Sequence, residues 1–147
     1  IPANIFGPSD DFSVKNSHVL AALMRKIHEA KQNGNSAVEI WGTGKPRREF
    51  IYVDDLADAC QFLMEHYSDE NPINIGSGSA LSISDLAKTI KEVTRYNGNF
   101  HFDSSKPDGM PNKVLDSSYL FSLGWKAKIN LNDGIKQLYQ WYLKNIE

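Results

Sequence analysis

Residues 38–55, VEIWGTGKPRREFIYVDD, constrain the fold more than any other part of the chain. They read as a short strand ending at Trp41, a tight Gly42-Thr43-Gly44 turn and a basic knuckle, Lys45-Pro46-Arg47-Arg48. A second strand over residues 49–53 follows. Asp54-Asp55 then opens a helix, because carboxylates meet the orphan amides and the positive dipole end of a first turn. A flat aromatic and two guanidinium groups thus flank one glycine turn. That arrangement suits a ligand with both a planar ring and an anionic phosphate. Arginine gives bidentate, permanently charged hydrogen bonds to phosphate oxygens, and glycine lets backbone approach closely.

The flanking sequence alternates strand and helix signals. Residues 1–6 form a short apolar strand closed by Gly7-Pro8, and residues 9–16 form a polar loop. Asn16 or Ser17 caps a helix in which Val19, Leu20, Leu23, Met24 and Ile27 recur at helical spacing. In the helix after Asp55, Leu56, Cys60 and Leu63, with Phe62 beside them, form the apolar side. Residues 72–75 read as a strand, and Ser82 with Asp85 as a capping box ahead of a helix buried on Leu86, Ala87, Ile90 and Val93. Residues 99–102 form a further strand. Residues 103–113, DSSKPDGMPNK, make a long polar loop, the kind that carries function on a rigid scaffold. A last helix starts at Asn130 and buries Ile135, Leu138, Tyr139 and Tyr142. Alternating strands and helices predict an α/β fold, or α+β for the piece taken alone.

A hydrophobic share of 41% and a charged share of 23% over 147 residues describe a chain with a core, not a disordered one. The net charge of -2 argues against a nucleic-acid surface. Cys60, the single cysteine, excludes an internal disulfide and a cysteine-based zinc cluster, and fits a cytoplasmic protein without a metal. No apolar run approaches the roughly 20 residues of a membrane span. Ile1 opens inside an apolar strand, which reads as a fragment of a longer chain.

Three segments carry a family resemblance: Pro2-Ala3-Asn4-Ile5-Phe6-Gly7-Pro8 with Asp10 and Phe12, Ser17-His18-Val19, and Trp41-Gly42-Thr43-Gly44 through Arg48-Glu49-Phe50 to Asp54-Asp55-Leu56-Ala57. Ile73-Asn74-Ile75-Gly76-Ser77-Gly78 and Lys106-Pro107-Asp108-Gly109 extend it. In order and spacing the chain resembles the C-terminal half of the GDP-L-fucose synthases, epimerase/reductases of the extended short-chain dehydrogenase/reductase superfamily. The resemblance implies that residues 1–147 are a C-terminal substrate-binding part with a few Rossmann-domain elements. The Gly-rich cofactor loop and the Ser/Tyr/Lys catalytic set would belong to an N-terminal half outside this sequence. It further implies a GDP-sugar substrate, NADP bound mainly by that other half, a homodimer for the full-length enzyme, and no activity for this piece alone.

The resemblance also assigns residues. His18 falls on the family's general acid of epimerisation, close to the nicotinamide; on the residues alone it reads first as a helix-start histidine making surface hydrogen bonds. Pro2, Ala3, Asn4 and Ile5 match the strand end lining the nicotinamide pocket, and in a fragment they are expected to fray. Arg48 matches a substrate arginine on the pyrophosphate, with Arg47 left as a surface residue. Trp41 matches a substrate-contacting tryptophan, for which plain core packing is the competing reading. Lys26 stands at a basic ligand-side position that Arg25 could also fill. Asp108 and Lys113 fall in the loop implied to touch the nucleotide, although Asn112-Lys113 replaces the family's more usual Arg-Lys pair. Two rivals remain open: a sibling enzyme acting on another GDP-deoxysugar or GDP-heptose, and a non-catalytic nucleotide-sugar-binding module.

Overall fold

The computed structural model describes residues 1–146. In chain order the elements are β1 (Asn4–Phe6), α1 (Val19–Gln32), β2 (Ala37–Trp41), β3 (Arg47–Tyr52), α2 (Val53–His66), β4 (Ala80–Ser82), α3 (Ile83–Thr94), β5 (Asn99–Asp103), β6 (Asn112–Lys113), α4 (Ser118–Ser122) and α5 (Leu131–Asn145).

The two strands joined by the glycine turn do not pair with each other. β2 runs parallel to β5, with Trp41 opposite Asp103. β3 belongs to a second sheet, where Phe50, Ile51 and Tyr52 lie parallel to Asn4, Ile5 and Phe6. Its first half is antiparallel to β4 on one side and parallel to β6 on the other, which sets Arg48 between Leu81 and Lys113. The turn therefore bridges two sheets, and Arg48 is braced from both sides.

Strand alternation divides β3 between two cores. Phe50 and Tyr52 enter the main core with Leu20, Met24 and Ile27 of α1, Leu86 and Ile90 of α3, and Ile135 and Leu138 of α5. Phe6 meets the two aromatic rings edge-on, at centroid distances of 6.3 and 5.4 Å. Ile51 points the opposite way, into a smaller core with Ala3, Ala59, Ile75, Leu120 and Trp125. Each fully buried aliphatic or aromatic side chain contributes about 1.5–3 kcal/mol, so the central strand is held on both faces.

Four local expectations change. The N-cap of α1 is His18, in extended conformation and without a side-chain cap bond, rather than Asn16 or Ser17. On α2, Cys60 is exposed and Ala59 is buried in its place. The face rotates because Asp55 turns inward, where its carboxylate accepts the amides of Lys128 and Ile129 at 3.0 and 2.9 Å. Residues 72–75 make no regular strand, only a bridge between Pro2 and Ile75. That bridge still overturns the expected fraying of the N-terminal segment. Ala3 donates its amide to Ile75 and Ile75 donates to Ile1, at 2.9 and 2.8 Å, while β3 secures Asn4, Ile5 and Phe6.

Candidate functional site

β2 alternates Val38 and Ile40 inward with Glu39 and Trp41 outward. Trp41 is 61% exposed, which removes core packing as its role. Its ring forms one wall of a cavity of about 270 Å³ lined also by Lys26, Arg48 and Asp108, with Val19, Leu23, Ile40 and Ile83 as the apolar floor. Larger clefts of about 450 and 480 Å³, beside Arg95 and beside Trp125, hold none of the predicted residues.

Two lysines attend the indole. The Lys26 ammonium lies 5.4 Å and the Lys106 ammonium 5.7 Å from the ring centroid, while the indole N–H donates to Glu39 Oε1 at 3.2 Å. Arg25, the alternative to Lys26, instead pairs with Glu29 one turn along α1, at 3.3 Å. Arg48 donates from Nη1 to the carbonyls of Arg47 and Met110, at 2.8 and 2.6 Å. Its Nε and Nη2 make no hydrogen bond among the described residues and remain available to a ligand. Arg47 donates to the Ala80 carbonyl and serves the β3–β4 junction.

Asp108 is engaged by the glycine turn. Its Oδ1 accepts the Thr43 amide at 2.6 Å and its Oδ2 accepts the Thr43 hydroxyl at 2.8 Å. Gly42, at φ +82, permits this: a Cβ there would run into the Asp108 carboxylate. Together with the Arg48–Met110 bond and the Arg47 amide on Pro111 at 2.9 Å, this pins the 103–113 loop onto the turn. The carboxylate keeps spare lone pairs. Nearby Asp103 is held below the usual carboxylate range, chiefly by the Ser105 hydroxyl and amide.

The remaining predicted residues stand apart from the cavity. Lys113 is exposed; its register with Arg48 sends both side chains from the same face of the sheet, but it does not line the cavity. His18 is exposed at the head of α1, next to Val19; its carbonyl accepts the Ala22 amide at 2.9 Å, and its side chain makes no hydrogen bond among the described residues. It lies within electrostatic reach of Asp10 and Asp11. Burial raises the Asp10 carboxyl, offset by the Asp11 amide and the His18 imidazole; Asp11 is lowered by its bonds to Ser13 and, more weakly, by His18. Pro2, Ala3, Asn4 and Ile5 also lie outside the cavity, with the Asn4 side chain donating to the Glu49 carbonyl at 2.7 Å.

Glu49 was missed at the sequence level. It is fully buried, and its carboxylate accepts the amides of Gly78 and Leu115 at 2.8 and 3.0 Å. A charged residue opening the apolar run Phe50-Ile51-Tyr52 was the available signal. Thr43 and Lys106 gave none beyond their motif neighbours.

Comparison with known proteins decides the lineage. The sequence profile of the NAD dependent epimerase/dehydratase family matches residues 1–76, more than half of the chain. The chain belongs to that family. This epimerase/dehydratase chain is 55% identical over 146 residues to GDP-L-fucose synthase 1 of Arabidopsis thaliana, a match covering 99% of this chain and 45% of that protein. It is similar to the NADP-bound GDP-L-fucose synthetase from Naegleria fowleri, at 37% identity and a TM-score of 0.92, covering 99% of this chain and 46% of that one. A GDP-6-OMe-4-keto-L-xylo-heptose reductase from C. jejuni matches at 36% identity and a TM-score of 0.87, over 97% of this chain and 52% of that one. The chain spans about half the length of these relatives. The expected α/β class and the resemblance to the GDP-L-fucose synthases are borne out. No helix among the described residues is long and apolar enough to cross a membrane.

Proposed function

We propose that residues 1–147 are the C-terminal, substrate-binding domain of a cytoplasmic, homodimeric, NADP-dependent enzyme that converts GDP-4-keto-6-deoxy-D-mannose to GDP-L-fucose. One observation carries the reading: Lys26, Trp41, Arg48 and Asp108, from separate segments, meet at one cavity that offers cations and an exposed aromatic face.

In that reaction the C3 and C5 protons are acidified by the adjacent ketone. His18 returns a proton to one face, a task suited to an imidazole, which can both donate and accept a proton. Its imidazole is exposed and makes no hydrogen bond among the described residues, which leaves it free to meet a substrate. Arg48 and Lys26 hold the diphosphate, with Lys113 at its margin, and Asp108 faces the nucleotide. NADPH, when bound, supplies the hydride for reduction at C4. The chain's fit to that cofactor is partial. Pro2 and Ile5 are exposed while their segment is held by Ile75 and β3, so this strand end, with Ala3 and Asn4, can offer a face to the nicotinamide. The sequence has no Gly-x-x-Gly-x-x-Gly loop for the pyrophosphate, so the main grip on NADP lies in another part of the enzyme, and this chain alone is inactive.

The heptose reductase, nearly as similar as the Naegleria enzyme, favours a second reading in which the sugar is another GDP-linked keto sugar. The 55% identity to the plant synthase favours the first. The test is NADPH oxidation by the full-length gene product. With GDP-4-keto-6-deoxymannose it turns over, and His18→Asn lowers kcat roughly 100-fold with little change in KM. Turnover only with a GDP-keto-heptose moves the assignment to the second reading; no turnover with either leaves a binding module.

A further inference from the structure

We infer that Lys106 is a diphosphate-binding residue of this cavity, joining Lys26 and Arg48; the inference rests on the nucleotide-sugar reading above. Its ammonium and that of Lys26 lie at comparable distances, 5.7 and 5.4 Å, from the same indole ring, which borders Arg48.

Two cations, Lys26 and Arg48, line the cavity, Lys106 reaches it over the Trp41 ring that forms its wall, and the neighbouring carboxylates form hydrogen bonds elsewhere. Asp108 is bound twice by Thr43, Glu39 takes the Trp41 indole, and Asp103 takes the amide and hydroxyl of Ser105 at 3.0 and 2.6 Å. Among the described residues, neither Lys26 nor Lys106 has a carboxylate within ion-pair distance. The carboxylates keep their charge, and Asp103 attracts Lys106 at longer range, but neither lysine is locked in an ion pair, so each ammonium is free to move onto an entering diphosphate. The backbone of Lys106 is set in place by its amide on the Asp103 carbonyl at 3.1 Å and by the pinned loop that follows. Its flexible stem can carry a compact charge onto phosphate oxygens. The two ammonium groups rest on the indole, a weak contact at an exposed site. A bound diphosphate would take both and leave the ring to the sugar or base.

The test is calorimetric titration of the chain with GDP. Lys106 is exposed, so its replacement leaves folding intact. Lys106→Met keeps the apolar stem but removes the charge, and weakens GDP binding about 10-fold. Lys106→Arg restores affinity to within about threefold of the parent, which a merely steric role would not produce. Unchanged affinity in Lys106→Met, alongside lost binding in Arg48→Ala, overturns the role of Lys106 and leaves the nucleotide-sugar reading standing. A parent chain that does not bind GDP at millimolar concentration overturns both.

Discussion

Arg48→Ala is expected to weaken GDP binding by about 100-fold. A hydrogen bond to a charged group contributes roughly 1.5–3 kcal/mol, or about 10- to 150-fold in affinity. Two further features place Arg48 toward the upper end. Its guanidinium is already held by the Arg47 and Met110 carbonyls, so little side-chain freedom is lost when a ligand binds. Its Nη1 also secures the Met110 carbonyl, so removal loosens the loop that carries Asp108. Arg48→Lys should fall between parent and Ala, because a single ammonium cannot hold Met110 and a phosphate in the same planar geometry. Titration calorimetry reads all three. An Ala variant with parental GDP affinity would mean that the phosphate lies elsewhere.

The second large effect is on stability. Glu49→Ala is expected to cost about 3 kcal/mol, lowering the Tm by roughly 10 °C. The side chain is wholly buried and spans β3, Gly78 and Leu115, so its loss leaves two amides without acceptors as well as a void. Gly76 is packed so close that a Cβ there would meet the same carboxylate, which leaves the surroundings little room to rearrange. Glu49→Gln should cost less, because one oxygen still accepts while the new amide group opposes the other N–H. Thermal unfolding followed by circular dichroism separates the three proteins. A Tm for Glu49→Ala within about 2 °C of the parent would show that water or a backbone shift replaces both bonds.

Much of the scaffold was legible because helical periodicity is a strong local signal. Ile135, Leu138, Tyr139 and Tyr142 are all buried on α5. The Ser82 and Asn130 caps accept the amides of Asp85 and Asp133. Strand partners were not legible, since strands of three to six residues carry little information about which distant strand they meet. That is why the glycine turn reads locally like one unit yet joins two sheets. The α2 face was misjudged by one residue because the polar bond of Asp55 to a segment more than 70 residues away outweighed local apolar pattern.

At the site, the family resemblance pointed to Lys26, Trp41, Arg48 and Asp108, which line one cavity, but not to their private contacts. The Asp108–Thr43 pairing crosses 65 residues, and no local rule signals it. The exposure of Trp41 was in fact readable, from the two-residue alternation with Val38 and Ile40 inward. His18 differs from these residues: the fold sets it at the head of the helix that walls the cavity, not in the lining.

The most direct measurement is chemical-shift mapping of the isotope-labelled chain during titration with GDP. The Trp41 indole, the Thr43 amide and the Met110 backbone should shift together and saturate with one affinity, while signals around Arg95 and Trp125 stay still. Saturable shifts confined to either of those other clefts, or none at the glycine turn, would contradict a nucleotide site built on Trp41 and Arg48.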